Sequence, residues 1–494
     1  MKKTIKPKYD DDTVLSILRR RKIYLSADCG GRGNCGRCRI RISDPASCAE
    51  PSEAECKLLT ENELAKGIRL ACQTKVTEKM EIEIPPDSVI PESGNSCDDK
   101  FTEEDGRVSG AHKIEPLLPS EIIAVDYGTT VISGAVVDLN KGIVSEASVI
   151  NHQKAYGADV ISRIKAANDG YREELRIVSL DDLEELCVRL GRDPEEPRYI
   201  ISGNTVMEHL ISGFSLKGLG EYPYTPVDIS LRRDGSMTFL PGISAFVGAD
   251  IVSGICACSL DHSDEPWLYV DIGTNGEMVL GTGDDILASS APAGPAFEGS
   301  GISCGMPDAY GAITKVMMAG QKVIVSCEGE GTPQGICGSG VIDLIAELVR
   351  NRIADENGTL TAEYAEDGFP VQGRIVLTQR DIREIQKAKA AIRAGIETLI
   401  SESGIDRREI KKLVIAGSFG SSIDLENAAY IGLIPEDMLP VSGTAGNASL
   451  TGATLYALDT GFGERLKTFC EKAKPVDLNE AAEFSSRYIS YMSF

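Results

Sequence analysis

The sequence predicts a mixed α+β and α/β protein in which a small N-terminal domain precedes a duplicated core. Two glycine-rich turns between apolar strands lie 145 positions apart, at Asp126 and Asp271, and strand and helix patterns alternate after each turn. The repeated pattern indicates two halves of one duplicated fold. A loop with three closely spaced cysteines marks the separate N-terminal domain. We therefore expect a first domain at 1–84, a linker at 85–120, and core halves at 121–265 and 266–494.

Composition excludes several classes of protein. The 494 residues are 42% hydrophobic and 26% charged, as in globular domains, and the net charge of −24 disfavours nucleic acid as a partner. No apolar run approaches the ~20 residues of a membrane helix, so we expect no membrane association. Met1–Ile5 are followed by charged residues and not by the apolar stretch of a signal peptide, so we expect no signal peptide. Fourteen cysteines without an export signal indicate the reducing cytoplasm.

The first domain carries a metal-cluster pattern. Cys29, Cys35 and Cys38 lie in a glycine-rich loop with C-x5-C-x2-C spacing, and Cys72 follows after 33 intervening residues. This resembles the loop of plant-type ferredoxins, with x5 in place of x4, and predicts a [2Fe-2S] cluster on these four thiolates. Zinc is the alternative, although tetrahedral zinc sites usually bring a second close ligand pair. Alternating strands at 39–42 and 80–84 fit the small β-grasp fold of that family.

Two surrounding segments bear on how this domain works. The linker contains five prolines and an acidic run from 97 to 105, and we expect either a flexible tether or an ordered strap. Eight basic residues stand against one acid between Arg19 and Arg41. This strip is either a solvated face or a docking surface for an acidic protein.

The two turns have the composition of phosphate-binding hairpins. Asp271 opens Gly273-Thr274-Asn275-Gly276 between the strands 267–270 and 278–280. Glycine lets backbone N–H groups approach a phosphate, the threonine hydroxyl adds a donor, and the aspartate can hold a metal. The first turn repeats this pattern as Asp126 followed by Gly128, Thr129 and Thr130.

The alternation of elements in both halves resembles the superfamily of actin, sugar kinases and heat-shock chaperone ATPases, whose ribonuclease H-like halves hold ATP between them. We expect strands at 121–126, 131–138, 143–150 and 198–202 and helices near 156–168 and 204–212. In that superfamily a carboxylate or amide positions the attacking water where Asp250 opens the helix 251–258. An ordinary N-cap is the alternative.

The resemblance also implies an adenosine site. A strand at 412–416 runs into Gly417, Ser418 and Gly420, and two such glycines let the purine lie on the backbone. The preceding helix, 379–402, places Gln386, Lys389 and Arg393 on one face. The superfamily implies that Lys389 flanks the adenine, and a solvated face is the alternative.

Three further segments allow a functional or a purely structural interpretation. They are the glycine-bounded turn 294–299 with its one acid, the Gly338-Ser339-Gly340 run before a helix at 341–349, and the segment 151–163, which reads as a loop followed by a capped helix.

Together, the cysteine loop, the linker and the two hairpins resemble the reductive activators of corrinoid-dependent enzymes over nearly the whole chain. The resemblance implies ATP-dependent return of an inactive Co(II) corrinoid to Co(I), with a [2Fe-2S] cluster, ATP and Mg²⁺ as cofactors. It implies a corrinoid protein as electron acceptor and a ferredoxin or other low-potential reductant as donor. The sequence leaves the oligomeric state open, and a homodimer is one assembly that it allows.

Site roles follow from the same resemblance. We expect Asp126 and Asp271 at Mg²⁺, Thr129, Thr130, Gly273, Thr274 and Asn275 at phosphates, Asp250 at water, and Gly417 and Gly420 at adenosine, with Glu277 a weaker candidate for a base. Two other hypotheses remain: an activator of a radical dehydratase of the 2-hydroxyacyl-CoA type, and a small-molecule kinase with a redox-sensing domain.

Overall fold

The computed structural model describes residues 1–9, 12–44, 49–90, 114–320, 322–329, 332–417 and 422–494. Most of the predicted linker, the acidic run included, lies outside the described residues. No helix in the described part of the chain is long and apolar enough to cross a bilayer. The predicted domain boundaries at 84, 120 and 265 remain predictions.

The N-terminal domain is a four-stranded sheet in the order β1-β4-β2-β3, with one helix packed against it. Thr13 begins that helix with a capping box shared with Ser16. The elements of this domain are β1 (Lys2–Ile5), α1 (Val14–Arg20), β2 (Arg39–Ile42), α2 (Glu53–Leu58), α3 (Glu61–Ala65), β3 (Ile68–Leu70) and β4 (Met80–Glu83).

The first core half is built on a six-stranded sheet in the order β7-β6-β5-β8-β10-β9. Its first three strands are antiparallel, and β5 then pairs in parallel with β8. Its elements are β5 (Glu121–Tyr127), β6 (Val131–Asp138), β7 (Gly142–Ile150), α4 (Val160–Ala166), α5 (Arg172–Arg189), β8 (Tyr199–Gly203), α6 (Thr205–Ser212), α7 (Lys217–Gly220), β9 (Arg232–Asp234), β10 (Met237–Phe239) and α8 (Ala249–Ala257).

The second half repeats this topology in the order β20-β19-β11-β12-β13-β21. Its elements are β11 (Trp267–Ile272), β12 (Gly276–Thr282), β13 (Asp285–Ala291), β14 (Ala312–Ala319), β15 (Lys322–Cys327), β16 (Gly335–Ile336), α9 (Gly338–Arg350), β17 (Phe369–Gln372), β18 (Ile375–Leu377), α10 (Gln379–Ser403), β19 (Lys412–Ala416), α11 (Leu425–Tyr430), β20 (Ser442–Gly446), α12 (Ala448–Leu458), α13 (Phe462–Lys472), β21 (Ala473–Pro475) and α14 (Phe484–Ser490).

The matching strand order confirms the duplicated fold predicted from the two turns. In each half three antiparallel strands are followed by two that run parallel to the first, β5-β8-β10 and β11-β19-β20. The central strands β5, β8, β11 and β12 are buried along most of their length, as expected for strands covered on both faces of the sheet. The two first strands end at equivalent edges.

The two halves share one core layer. Helices α8 and α12 pack against each other, and apolar residues of both sheets pack around them. Helix α12, near the C-terminus, lies directly on β5 and β8 of the first half. The second half of the chain therefore supplies side chains to the first half's turn.

Two element boundaries differ from the sequence prediction. The helix expected at 156–168 begins at Val160, because residues 152–156 form a separate 3-10 turn and Asp159 caps the helix. The run from Gly338 to Gly340, expected to precede a helix, is the first turn of α9 itself.

Candidate functional site

Asp126 and Asp271 occupy equivalent positions in the two halves. Each is the last residue but one of the first strand in its half. In the hairpin registers Asp126 pairs with Ser133 and Asp271 with Glu277. The two turns that follow these aspartates come together in the structure, because one side chain touches both of them.

That side chain is Glu298. Its Oε2 accepts a hydrogen bond from the hydroxyl of Thr130 and another from the hydroxyl of Thr274, each over 2.5 Å. Oε1 lies beside Gly273, where an added Cβ would be 3.1 Å away. The two hairpins are therefore joined through one carboxylate. In the sequence, Glu298 stands out only as the single acid in the glycine-bounded turn 294–299.

The hairpin glycines serve different purposes. An added Cβ on Gly128 would lie 2.4 Å from the carbonyl oxygen of Val131, so the first turn is too tight for a side chain. The N–H of Gly273 donates within its own turn to the carbonyl of Asn275, over 3.0 Å. Gly276, predicted to approach a phosphate, packs against Ile392 of α10, 2.7 Å from an added Cβ.

Three buried aspartates in this cleft have raised pKa values. Burial raises the pKa of Asp126 to about 6, and the charge of Glu298 adds to the shift. Burial and the neighbouring Asp126 raise the pKa of Asp250 to about 7. The pKa of Asp271 lies well above its usual range through burial and the charges of Asp250, Asp126 and Glu298. A divalent cation would relieve this repulsion, and carboxylate oxygens are the ligands that Mg²⁺ prefers. The residues therefore fit the predicted metal.

Asp250 does not cap its helix. The N-cap residue of α8 is Gly248, and Asp250 is the second residue of the helix. Its Oδ1 accepts only from the adjacent N–H of Ile251, over 2.9 Å, among the hydrogen bonds of the described residues. The alternative that Asp250 is an ordinary N-cap is therefore wrong. Glu277, the weaker candidate, accepts from Asn275 over 3.2 Å, and burial raises its pKa as well.

Two residues that the sequence did not single out hold the carboxylate of Asp126. Asn447 donates to Oδ2 over 2.9 Å, and Ser449 donates to Oδ1 over 2.8 Å. Both lie at the start of α12, which crosses onto the first sheet. They orient the aspartate and lower its pKa against the effect of burial.

The predicted adenosine strand ends beside the second hairpin. Gly417 follows β19 with a φ of +119°, and an added Cβ would lie 2.5 Å from the carbonyl oxygen of Ile272. Only glycine fits at this close approach. Ser418 and Gly420, predicted at the same site, lie outside the described residues.

Lys389 is not exposed toward the hairpins. It is only 1% exposed, and its ammonium donates to the carbonyl oxygen of Ser493 and lies 5.6 Å from the ring centroid of Phe494. Gln386 similarly donates to the carbonyl of Met492 over 2.8 Å. This face of α10 binds the C-terminal segment, so the alternative of a solvated face is wrong for Lys389 and Gln386. The expectation that Lys389 flanks the adenine stays a prediction.

The four predicted ligand cysteines come together in the N-terminal domain. Cys35 Sγ lies 3.4 Å from Cys29 Sγ, and the thiols of Cys38 and Cys72 are close enough that each is the largest influence on the other's pKa. Hydrogen bonds from Cys35 and from nearby backbone N–H groups lower the pKa of the Cys29 thiol to about 4. Four converging sulfurs, with N–H groups aimed at them, fit a [2Fe-2S] cluster.

Comparison with known proteins agrees with this arrangement. The family model of the RACo middle region matches residues 122–263, and the model of the C-terminal ASKHA domain of RACo matches residues 265–494. The chain belongs to the RACo family. A model of the 2Fe-2S iron-sulfur cluster binding domain matches residues 2–77 of this RACo family member, which supports the cluster over zinc. The predicted fold, a ferredoxin-like domain before an actin-like core, is confirmed.

Individual relatives of this RACo family member have related descriptions. The corrinoid activation enzyme RamQ of Eubacterium limosum is 34% identical over 383 residues, 68% of this chain and 64% of RamQ. The match thus spans slightly less than two thirds of that relative. The [Co(II) methylated amine-specific corrinoid protein] reductase of Methanosarcina barkeri is 26% identical over 75% of this chain and 76% of its own length.

A solved structure covers the whole arrangement. The reductive activator for a corrinoid, iron-sulfur protein is 28% identical, with a TM-score of 0.71 over 99% of this chain and 96% of the other. The resemblance to reductive activators of corrinoid-dependent enzymes that the sequence predicted is therefore confirmed.

Proposed function

We propose that this protein is an ATP-dependent reductive activator that returns the Co(II) corrinoid of a corrinoid protein to Co(I). One observation carries the proposal. The same chain contains four converging cysteines and, next to them, a cleft formed by two hairpins and three buried aspartates. The RACo family match and the names of the relatives supply the chemistry of the acceptor.

The electron balance is simple. When bound by the four cysteines, a [2Fe-2S] cluster supplies one electron to convert Co(II) to Co(I), and a ferredoxin or other low-potential reductant restores it. Hydrolysis of ATP by water to ADP and phosphate proceeds separately in the cleft. Plant-type clusters lie near −400 mV, and a shortfall of about 59 mV costs a factor of ten for one electron. ATP therefore acts by favouring one conformation of the complex over another.

Each group in the cleft has a proposed role. Asp126 and Asp271 would hold Mg²⁺, which supplies charge neutralisation at the phosphates. The hydroxyls of Thr130 and Thr274 donate to phosphate oxygens once Glu298 no longer accepts from them. Further phosphate contacts fall to Thr129, Gly273 and Asn275. Asp250, whose carboxylate has no other side-chain hydrogen bond in the described residues, orients the attacking water. Gly417 receives the adenosine.

A visible spectrum tests the proposal. Purified protein with an intact cluster is mixed with reductant and a Co(II) corrinoid protein, with ATP, with AMP-PNP or without nucleotide. The account predicts the Co(I) band with ATP alone, and its loss in Cys35→Ser. Equal Co(I) formation without nucleotide would contradict the proposal. Transfer of phosphate to a metabolite in place of water would favour the kinase hypothesis.

A further inference from the structure

The segment 151–163, here called the coupling segment, lies between the first hairpin and the cysteine loop. It was ambiguous in sequence, and the proposed function uses none of its side chains. In the structure it consists of a 3-10 turn at His152–Tyr156 followed by the start of α4 at Val160. Its two sides contact two different parts of the protein.

One side of the coupling segment holds the backbone of the first hairpin. The N–H of Asn151 donates to the carbonyl of Thr130 over 3.0 Å, and its side-chain amide donates to the carbonyl of Gly128 over 2.8 Å. The buried guanidinium of Arg163 donates to the carbonyl of Thr129 over 2.6 Å. All three carbonyls of the Gly128–Thr130 turn are thus bound to this one segment.

The other side holds the cysteine loop. The N–H of Ala158 donates to the carbonyl of Asp28, the residue before Cys29, over 3.1 Å. Arg32 donates to the hydroxyl of Ser162 over 3.2 Å. Gly30 has a φ of +69°, and an added Cβ would lie 2.6 Å from the carbonyl oxygen of Tyr156, so the loop backbone lies directly on the segment.

Arg19 fastens the same contact. Its side chain donates to the carbonyl of Ala155 and to that of Gly30, and its guanidinium lies 4.2 Å from the ring centroid of Tyr156. Arg19 is only 7% exposed. The most N-terminal member of the basic strip therefore belongs to an interface within the chain and is not available to a partner.

The coupling segment is internally braced. Arg163 Nε donates to the carbonyl of Gly157 over 3.0 Å, and Asp159 caps α4 through the N–H of Ser162 over 2.7 Å. Lys154 reaches the second half and donates to the hydroxyl of Ser300 over 2.7 Å. A shift of the hairpin on binding phosphate therefore moves a braced element, and that element rests on the cysteine loop.

We propose that the coupling segment makes nucleotide binding and reduction of the [2Fe-2S] cluster interdependent. This inference rests on the proposed function, because it requires ATP at the hairpins and a cluster at the cysteines. Coupling between two binding equilibria is reciprocal. If nucleotide lowers the affinity of the cluster for its electron, reduction weakens nucleotide binding by the same factor. An anionic nucleotide disfavours the extra negative charge of the reduced cluster, so the expected direction is a lower potential with nucleotide bound.

The test measures both sides of the linkage on the full-length protein with its cluster. The midpoint potential is determined by EPR-monitored titration with and without Mg²⁺ and AMP-PNP, and the Kd of AMP-PNP is measured for oxidised and reduced protein. We expect the potential to fall and the oxidised protein to bind AMP-PNP more tightly. A tenfold difference in Kd corresponds to about 59 mV for one electron.

Substitutions distinguish coupling through the contacts of the coupling segment from a through-space electrostatic effect of the nucleotide on the cluster. Arg19→Met removes a contact of the coupling segment and one positive charge. Arg21→Met removes the same charge nearby on the chain. Within the described residues this exposed side chain donates only to the carbonyl of Thr4. Ser162→Ala breaks the Arg32 contact from the core side without touching the cysteine loop. We expect the nucleotide-induced shift to shrink in Arg19→Met and Ser162→Ala and to persist in Arg21→Met.

Two results would overturn the inference. They are a wild-type potential that nucleotide does not change, and a full nucleotide-induced shift in both Arg19→Met and Ser162→Ala. The first of these leaves the proposed function standing if ATP-dependent Co(I) formation is still observed. Failure of the wild type to bind AMP-PNP would overturn both.

Discussion

The side-chain amide of Asn447 donates a hydrogen bond to the carboxylate of Asp126 over 2.9 Å, although 321 residues separate them in sequence. Asn447 also caps α12 by accepting from the N–H of Leu450. The second half of the chain thus fixes the orientation of the first half's aspartate. Two duplicated halves share one site because this helix crosses between them.

Replacing Asn447 with alanine is therefore expected to have two effects. Loss of the cap and of a buried hydrogen bond lowers the free energy of unfolding by about 1–2 kcal/mol. Loss of the donor also raises the pKa of Asp126 and weakens binding of Mg²⁺ and AMP-PNP at pH 7. Thermal unfolding and calorimetric titration measure these effects. Asn479→Ala, at an exposed residue that bonds only Asp477, is the control. Unchanged melting and affinity in Asn447→Ala would contradict the assignment.

The raised pKa values predict the pH dependence of nucleotide binding. Asp126 titrates at about 6 and Asp250 at about 7 in the free protein. Binding of the Mg²⁺ complex requires the ionised carboxylates, so protons compete with it below these values. We expect the Kd of Mg²⁺ and AMP-PNP to be nearly constant above pH 8 and to rise about tenfold per pH unit for each proton taken up. A Kd independent of pH between 8 and 5.5 would exclude Asp126 from the metal site and Asp250 from the surroundings of the bound nucleotide.

Replacing Glu298 is expected to lower the stability of the free protein and to raise its affinity for ATP. Its carboxylate bonds the hydroxyls of Thr130 and Thr274, the donors proposed for phosphate. Glu298→Ala removes the bridge between hairpins and is expected to lower the free energy of unfolding by about 1–3 kcal/mol. It also removes a negative charge from the phosphate site, so the affinity for ATP without Mg²⁺ is expected to increase several-fold.

The matched control for Glu298→Ala is Glu265→Ala, which changes an exposed residue of the same charge. It should leave both stability and ATP affinity unchanged. Weaker ATP binding in Glu298→Ala would show that Glu298 assists nucleotide binding and does not compete with phosphate for the two hydroxyls. That result would contradict this interpretation.

The basic strip predicts an effect on partner docking. Arg37 and Arg39 remain 42% exposed while lying 3.6 Å from the carboxylates of Asp28 and Glu63. Reversing both to glutamate is expected to slow reduction of the corrinoid protein at least tenfold at low salt, and the difference should shrink as salt screens the charges. Stopped-flow absorbance measures the rate. Arg374→Glu, at an exposed position in the second half, is the control. Equal rates at low salt would discard the docking surface.

The elements that could be predicted from sequence depend on local signals. Each glycine-rich hairpin is specified within about ten residues by apolar strands around a glycine turn, and the cysteine loop is specified by spacing alone. The duplicated sheets follow, because the same pattern recurs at Asp126 and Asp271. The strand order of both halves confirms it.

The elements that could not be predicted depend on contacts far apart in sequence. Glu298 joins the hairpins across 168 positions from Thr130, and the local pattern marks it only as the single acid of the turn 294–299. No sequence pattern marks Asn447, because its hydrogen bond to Asp126 depends on the position of α12 against the first sheet. The helical pattern of α10 places Lys389 on one face of the helix, but the C-terminal segment covers that face. Arg19 belongs to a run of basic residues that is typical of a surface, but in the structure its side chain is buried.

In the proposed function, ATP in the hairpin cleft controls electron delivery to the corrinoid, and removal of a proposed Mg²⁺ ligand from that cleft should abolish this control. An Asp271→Ala variant, shown by absorbance and EPR to hold a normal cluster, is mixed with reductant, Mg²⁺, ATP and a Co(II) corrinoid protein, and the Co(I) band is followed. The account predicts no more Co(I) than the wild type forms without nucleotide. Full ATP-dependent reduction by Asp271→Ala would contradict it.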